Sequence, residues 1–179
     1  MKKISAVTLS TLLASSMFAS GAMADNYFGV GVGSADLEGV DDSSFKIFGG
    51  TRNGNLGFEV AYHDFGKPEE SYPGLYYASL EPTGIEFSGV GYMPVSPTMD
   101  FFGKIGLLMW DVDATFTDYT VPVTLTGSED GNDLIYGVGL QFNSSNNFSL
   151  RVEYQASTLD VEGEDIDLEN WSVGATFKF

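Results

Sequence analysis

The sequence predicts an all-β fold, an eight-stranded antiparallel up-and-down transmembrane β-barrel, on three observations. The last nine residues alternate without a fault. Trp171, Val173, Ala175, Phe177 and Phe179 lie on one face, and Ser172, Gly174, Thr176 and Lys178 on the other. This is the period by which a strand points successive side chains to opposite sides of its sheet. Seven further segments, each about eight to eleven residues long, show the same period. The connections between these segments alternate short and long, the asymmetry of a barrel with tight turns on one side of a membrane and longer loops on the other.

The segments follow in order along the chain. The first, Tyr27 to Gly33, sets Phe28, Val30 and Val32 against Tyr27, Gly29 and Gly31. The second, Ser44 to Arg52, sets Phe45 and Ile47 against Lys46, Phe48 and Gly50, and leads through Asn53-Gly54-Asn55 into the third. A tight Asn-Gly connection is a hairpin signal. In the third, Leu56, Phe58, Val60 and Tyr62 alternate with Gly57, Glu59, Ala61 and His63. The fourth, Thr83 to Met93, loses phase. Ile85 and Phe87 oppose Glu86 and Ser88, but Val90 and Tyr92 fall on the polar face, so a bulge at Gly89 or Gly91 is expected. The fifth sets Phe101, Ile105, Leu107 and Met109 against Lys104, Gly106, Leu108 and Trp110. In the sixth, Leu134, Tyr136, Val138, Leu140 and Phe142 oppose Gly137, Gly139 and Gln141. In the seventh, Phe148, Leu150, Val152 and Tyr154 oppose Ser149, Arg151, Glu153 and Gln155. Besides the Asn-Gly hairpin, Ser96-Pro97-Thr98 and Asn143 to Asn147 make short turns; the other connections, beginning with Ser34 to Ser43, read as long loops.

Alternation alone also suits a soluble barrel such as a lipocalin-like carrier, with its apolar residues inward. The second face discriminates. In the first, sixth and eighth segments it is largely Gly, Ser, Thr and Gln. Small residues fit a crowded eight-stranded lumen, whereas a strand facing water usually carries long charged side chains.

Residues 1–24 carry a positive start at Lys2 and Lys3, an apolar to small-residue run from Ile4 to Phe18, and an A-x-A site at Ala22-Met23-Ala24. They read as a secretory signal peptide, with the barrel domain spanning 25–179. There is no cysteine and, beyond the signal, no run of apolar residues long enough for a membrane helix. The formal charge of −17 becomes −19 when Lys2 and Lys3 are removed, leaving Lys46, Arg52, Lys67, Lys104, Arg151 and Lys178 as cations. So acidic a chain repels phosphate backbones, which argues against nucleic-acid binding. No nucleotide loop, zinc spacing or EF-hand spacing is present.

The segments "FKIFGGTRNGNLGFEVAYHDFG", "FFGKIGLLMWDVDA", "DLIYGVGLQFN", "SLRVEYQ" and "WSVGATFKF" resemble the small outer-membrane β-barrel family that includes the OmpA transmembrane domain and OmpX. The resemblance covers nearly the whole mature chain. It implies a barrel in the outer membrane with both termini periplasmic, embedded in lipid and lipopolysaccharide and delivered by the secretion and barrel-assembly machinery. It further implies that Trp171, Val173, Phe177 and Phe179 form the assembly signal. A peptidoglycan-binding domain, which often follows such barrels, is not expected here. The implied role is structural and surface-interacting, as in membrane integrity, adhesion or phage attachment, by a monomer. A narrow channel for small solutes is the alternative.

Three constellations remain. Lys46, Arg52, Glu59, Glu86, Lys104, Arg151 and Glu153, with Lys178, fall on the face opposite the apolar one. Buried charges must be paired and hydrogen-bonded, so a lumen network is expected in which the three glutamates pair with Lys104 and Arg151. Lone His63 has no serine at close strand spacing, so no catalytic triad and no enzyme is expected. Acids crowd the long connections, and no cofactor is expected beyond Ca²⁺ or Mg²⁺ held by Asp111, Asp113, Glu162, Glu164, Asp165 and Asp167. Tyr72, Tyr76 and Tyr77 are expected in the second loop; outward Tyr62, Tyr154, Trp171 and Phe179 suit interfacial girdles.

Deletion of Phe179 is expected to lower the yield of assembled barrel while leaving export intact. The fraction of protein whose gel mobility shifts on boiling, compared with total exported protein, checks this.

Overall fold

The computed structural model describes residues 25–37, 39–121, 123–161 and 164–179; the expected signal peptide lies outside them. Nine strands form one antiparallel sheet: β1 (Asp25–Leu37), β2 (Val40–Asn53), β3 (Leu56–Asp64), β4 (Glu69–Tyr72), β5 (Tyr76–Ser96), β6 (Met99–Asp118), β7 (Val123–Asn143), β8 (Phe148–Val161) and β9 (Glu164–Lys178). Each strand pairs with its sequence neighbour, except that β5 takes β3 at one end and β4 at the other. Strands β3 and β4 are thus two lengths of one barrel strand, interrupted at Phe65–Pro68. Phe65 N donates to Pro82 O and Leu80 N to Pro68 O across the break. Gly66 turns the chain there with φ of +88°, in the left-handed region that other residues rarely adopt. Pairing of β1 with β9, from Tyr27–Lys178 to Leu37–Leu168, closes the sheet into an eight-stranded barrel.

The register defines the geometry of the closure. Stepping from partner to partner around the barrel, Tyr27 leads to Gly50, Glu59, Ser88, Gly106, Ile135, Ser157 and Leu168, and back onto β1 at Leu37. The circuit therefore returns ten residues further along β1. With ordinary strand rise and spacing, that stagger over eight strands tilts them by about 40° and gives a radius of about 8 Å. Every residue on the circuit points inward, and an interior so narrow has room only for side chains.

The outward face is an apolar belt. Val30, Phe58, Phe87, Ile105, Leu107, Val138, Val152 and Val173 are all exposed on it. Tyr154 and Trp171 pair across strands with ring centroids 4.8 Å apart. At one height the outward residues change character on seven of the eight barrel strands. Val32 gives way to Ser34, Phe45 to Ser43, Tyr62 to Asp64, Ile85 to Thr83, Met109 to Asp111, Leu134 to Asn132, and Trp171 to Glu169. Between Phe101 and Met109 the tilted β6 rises roughly 20 Å, close to the ~25 Å apolar band of outer-membrane barrels once side chains are added.

Three expectations are corrected. The strands are not all eight to eleven residues long: β5 and β7 each run for 21 residues. The acidic connections expected as long loops are largely hairpin extensions of the barrel strands. Strands β1 and β2 continue to Leu37 and Val40, and β6 and β7 stay in register to Asp118 and Val123. Tyr72 lies in β4, and Tyr76 and Tyr77 in β5. The reason is that a hairpin partner satisfies backbone groups residue by residue, whatever the polarity of the side chains. Finally, β5 has no bulge at Gly89 or Gly91. Its register with β6 is continuous from Tyr76 to Pro94 and shifts only between Pro94 and Ser96. Val90 and Tyr92 point inward, 2% and 4% exposed.

Replacing Ile105, near the middle of the belt, by arginine is expected to destabilise the barrel by about 2–4 kcal/mol. The same change at Thr117, in the hairpin extension, is expected to fall within about 0.5 kcal/mol of zero. Urea unfolding in lipid vesicles measures both.

Candidate functional site

The interior is stacked in layers. At the end bearing the short turns, Arg52 Nη1 donates to Asp100 Oδ2 at 2.8 Å, and its guanidinium lies 4.0 Å above the Tyr92 ring. Asn143 also donates to Asp100, at 3.1 Å. Arg52 is therefore separate from the other inward charges, a departure from the single network expected. Above it Tyr27 packs edge-on to Phe48, and Tyr92 against Phe102.

The next layer holds three cations and three carboxylates. Lys104 Nζ lies 3.3 Å from Glu59 Oε1, 2.8 Å from Glu86 Oε1 and 2.6 Å from Glu153 Oε1. Lys46 Nζ meets Glu153 Oε2 at 2.5 Å and Gln155 Oε1 at 3.2 Å. Arg151 Nη1 donates to Glu59 Oε2 at 2.6 Å, and its Nε lies 3.5 Å from Glu153 Oε2. All six side chains are buried. Formal charges cancel, so the layer adds no net charge to the barrel interior. That balance matters because an isolated ion away from water costs several kcal/mol, whereas a paired and hydrogen-bonded one costs much less.

Neutral groups complete the layer, and sequence reasoning missed them as members. Tyr27 donates to Glu59 Oε2 at 3.0 Å, and Gln155 Nε2 to Glu86 Oε2 at 2.9 Å. His63 Nε2 lies 2.8 Å from the same Glu86 oxygen. Inward parity was the available signal for all three. The Arg151 guanidinium is held over Phe102 at 4.0 Å and Phe48 at 5.1 Å. These rings supply cation–π contacts where no further carboxylate is present. Lys178 lies half-buried at the turn-bearing rim, opposite Tyr27.

His63 also stacks on Phe65, with ring centroids 5.1 Å apart, and so joins the charged layer to the layer above. That last layer is apolar. Ala35, Leu37, Phe65, Leu108, Trp110, Ile135, Leu159 and Leu168 form one buried cluster. It stands between the charges and the hairpin end of the barrel. At its rim Trp110 Nε1 donates to Asp133 Oδ2 at 2.7 Å, and the same oxygen accepts from Asp160 N at 3.2 Å. His63 lies inside the charge cluster, its Nδ1 without a hydrogen-bond partner. It is not set beside a nucleophilic hydroxyl.

The described residues of the expected cation site are not brought together. Among the described residues no group of three or more potential metal ligands comes together. Asp111 and Asp113 lie on the outer face of β6, where they pair with Asp130 and Ser128 of β7. Asp165 and Asp167 belong to the β8–β9 hairpin, opposite Asp160 and Thr158, and Thr158 Oγ1 donates to Asp167 at 3.1 Å. Pairing of β7 with β8 ends at Ile135–Ser157, so the two hairpins are not held edge to edge beyond it. Glu162 and the side chain of Glu164 lie outside the described residues. Phe177 and Phe179 extend the outward row of Trp171 and Val173, and Phe179 N donates to Asn26 O at 3.0 Å.

Replacing Lys104 by methionine removes the ammonium shared by three carboxylates. It is expected to destabilise the barrel by about 3–5 kcal/mol. Adding Glu86→Gln to that variant removes one uncompensated charge and should recover part of the loss, which equilibrium urea titrations of the two variants will show.

The architecture has close counterparts. The Neisserial surface protein A structure superposes with a TM-score of 0.66 at 14% identity, covering 89% of this chain and all of that one. Ail of Yersinia pestis, solved with the heparin analogue sucrose octasulfate, gives 0.60 at 19% identity, covering 87% of this chain and 97% of its own. The N-terminal barrel of Pseudomonas aeruginosa OprF gives 0.54 at 12% identity, with 87% and 99% covered. In sequence, outer membrane protein A of Yersinia pseudotuberculosis serotype I (strain IP32953) is 25% identical over 138 residues. That match spans 74% of this chain and 38% of the relative's length. The outer membrane protein beta-barrel domain model matches residues 5–179. With its closed eight-stranded barrel and apolar belt, the chain belongs to the family of outer-membrane protein β-barrel domains and resides in the outer membrane.

Proposed function

We propose that this protein is a structural outer-membrane barrel, sealed to solutes, whose hairpin extensions meet partners at the cell surface. The observation that carries the sealed lumen is the stack of layers. A charge-balanced cluster lies between aromatic side chains below and the Leu37–Phe65–Trp110–Leu168 cluster above. An aqueous path would have to displace buried apolar side chains and separate paired ions at once. In this reading the termini and short turns face the periplasm and the extended hairpins face outward. The barrel is a monomer in contact with lipid and lipopolysaccharide, inserted by the secretion and barrel-assembly machinery, and it supports membrane integrity.

Adhesion or phage attachment is the surface role this reading assigns to the hairpins. Their charge indicates the kind of partner. Every described acid other than Asp25, Glu59, Glu86, Asp100, Asp133 and Glu153 lies at or beyond the ring where the outer face turns polar. Lys67 is the lone cation among the described residues there, and Glu81 and Glu69 hold it at 2.9 and 3.5 Å. Their carboxylates raise its pKa above the usual lysine range. A sulfated glycan of the kind seen with Ail would be repelled by this surface. Cationic partner surfaces are favoured instead.

In planar bilayers the protein is expected to give no single-channel steps; sustained steps would establish the narrow-channel alternative. In cells, replacing residues 113–130 by a short turn is expected to preserve heat-modifiable barrel and abolish adhesion or phage adsorption. Unchanged attachment by an assembled variant would remove the surface role from these hairpins.

A further inference from the structure

We propose that the inner face of the β4–β7 extension is a docking groove for a cationic amphipathic segment of a partner protein. The inference rests on the surface-interaction reading above and specifies the chemistry of the partner. Within the membrane, the inward parity of each strand carries the polar residues. Beyond the boundary ring the sense of the alternation reverses. On the three long strands β5, β6 and β7 the inward parity is Ala78 and Leu80, Ala114 and Phe116, and Leu125. The outward parity there is Ser79 and Glu81, Thr115 and Thr117, and Thr124 and Thr126. Thr117 and Thr124 share a hydrogen bond at 3.3 Å on that polar face.

An amphipathic sheet normally buries its apolar face against another layer. Here the face is open. Leu80, Phe116 and Leu125 are 39%, 42% and 62% exposed, and Val40, on the tip of β2, is 50% exposed. Between these residues lies a cavity of about 670 Å³, within the range of ligand clefts. A solvent-exposed apolar cleft of this kind marks an interaction site.

Charge selects the occupant. Glu69 borders the groove from the outward parity of β4, opposite Ser79, where Tyr77 donates to it at 2.7 Å. Asp118, paired with Val123, closes its far end, and Glu129 continues the inward row of Leu125 along β7. An anionic lipid or an acidic peptide would meet carboxylates at the rim. A neutral apolar chain would fill the floor but bring no charge to Asp118 and Glu129 at the rim. A segment with one apolar and one basic face satisfies both the floor and the rim. From Ala114 to Asp118 the floor is roughly 13 Å long, enough for about two and a half turns of helix.

The test uses the full protein in phosphatidylcholine nanodiscs, with empty nanodiscs subtracted. The probe is a labelled Leu/Lys amphipathic helix about 14 residues long. Its Lys→Gln counterpart and a scrambled peptide of the same composition are titrated beside it. The Leu/Lys helix should bind about tenfold or more tighter than either control. Phe116→Ser with Leu125→Ser should lower its affinity about tenfold, while Thr117→Ala with Thr124→Ala, on the opposite face, leaves it unchanged. Both variants are first checked for heat-modifiable mobility, and Leu80→Ser replaces the first pair if that pair does not assemble. Equal binding by the groove variant would overturn the proposal, since charge alone would then explain association. Equal binding of the Lys→Gln helix would also overturn it, in favour of an apolar ligand. Selective binding in the groove together with attachment unaffected by loss of residues 113–130 would leave the groove standing and overturn only the adhesion or phage role.

Discussion

The ammonium of Lys104, shared by Glu59, Glu86 and Glu153, is the contact on which the barrel interior depends. Its partners come from β3, β5 and β8 while Lys104 itself is on β6, so one side chain ties four of the eight barrel strands together. The remaining carboxylate oxygens are taken by Lys46, Arg151, Tyr27, His63 and Gln155. Three positive and three negative groups at one level make the layer neutral, which is the condition for placing ions where water does not reach. Aromatic rings below and the apolar cluster of Leu37, Phe65, Trp110 and Leu168 above enclose it. In such surroundings each pair is less screened than on a surface, and removing one member leaves its partners exposed to the full cost of burial.

The second organising constraint is the change of solvent along each strand. The same period of two runs from the short turns to the hairpin tips, but its meaning inverts at the boundary ring. Below the ring, lipid is outside, and Ile105, Leu107 and Val138 face it while Lys104 and Gly137 face in. Above it, water is outside, and the threonines of β6 and β7 face that solvent while Phe116 and Leu125 face the axis. A strand can therefore cross from one solvent to another without any break in its hydrogen bonding. The extended hairpins of β5, β6 and β7 do so, and their apolar inner faces are the consequence.

Much of this was legible locally. The outward rows of β1, β3, β7, β8 and β9 follow from alternation, because a strand's neighbours along the chain determine the side to which it points. The short turns were legible for the same reason; Gly54, with φ of +59°, sits where Asn53-Gly54-Asn55 indicates a hairpin. The fourth segment was misread because apolar Val90 and Tyr92 were assumed to seek lipid. An interior layer built from Tyr27, Phe48 and Phe102 accepts them instead. The hairpin extensions were misread as loops because their residues are polar, whereas strand continuity there depends on the partner strand.

By itself, the sequence determined the strand period, the inward parity of Lys46, Glu59, Glu86, Lys104, Arg151 and Glu153, and the acidity of the longer connections. Those are properties of single segments. Only the tertiary structure decided who pairs with whom. Lys46 reaches Glu153 across 107 positions and Arg151 reaches Glu59 across 92. Such contacts depend on the ten-residue stagger of the closed barrel, and a different stagger would bring other side chains to the same level. The tertiary structure likewise separated Arg52 from the cluster, brought His63 into it, and left Asp111 and Asp113 on a different hairpin from Asp165 and Asp167. The physical reason is that alternation specifies a side of the sheet, while height around a closed barrel is specified only by the register of all eight strands together.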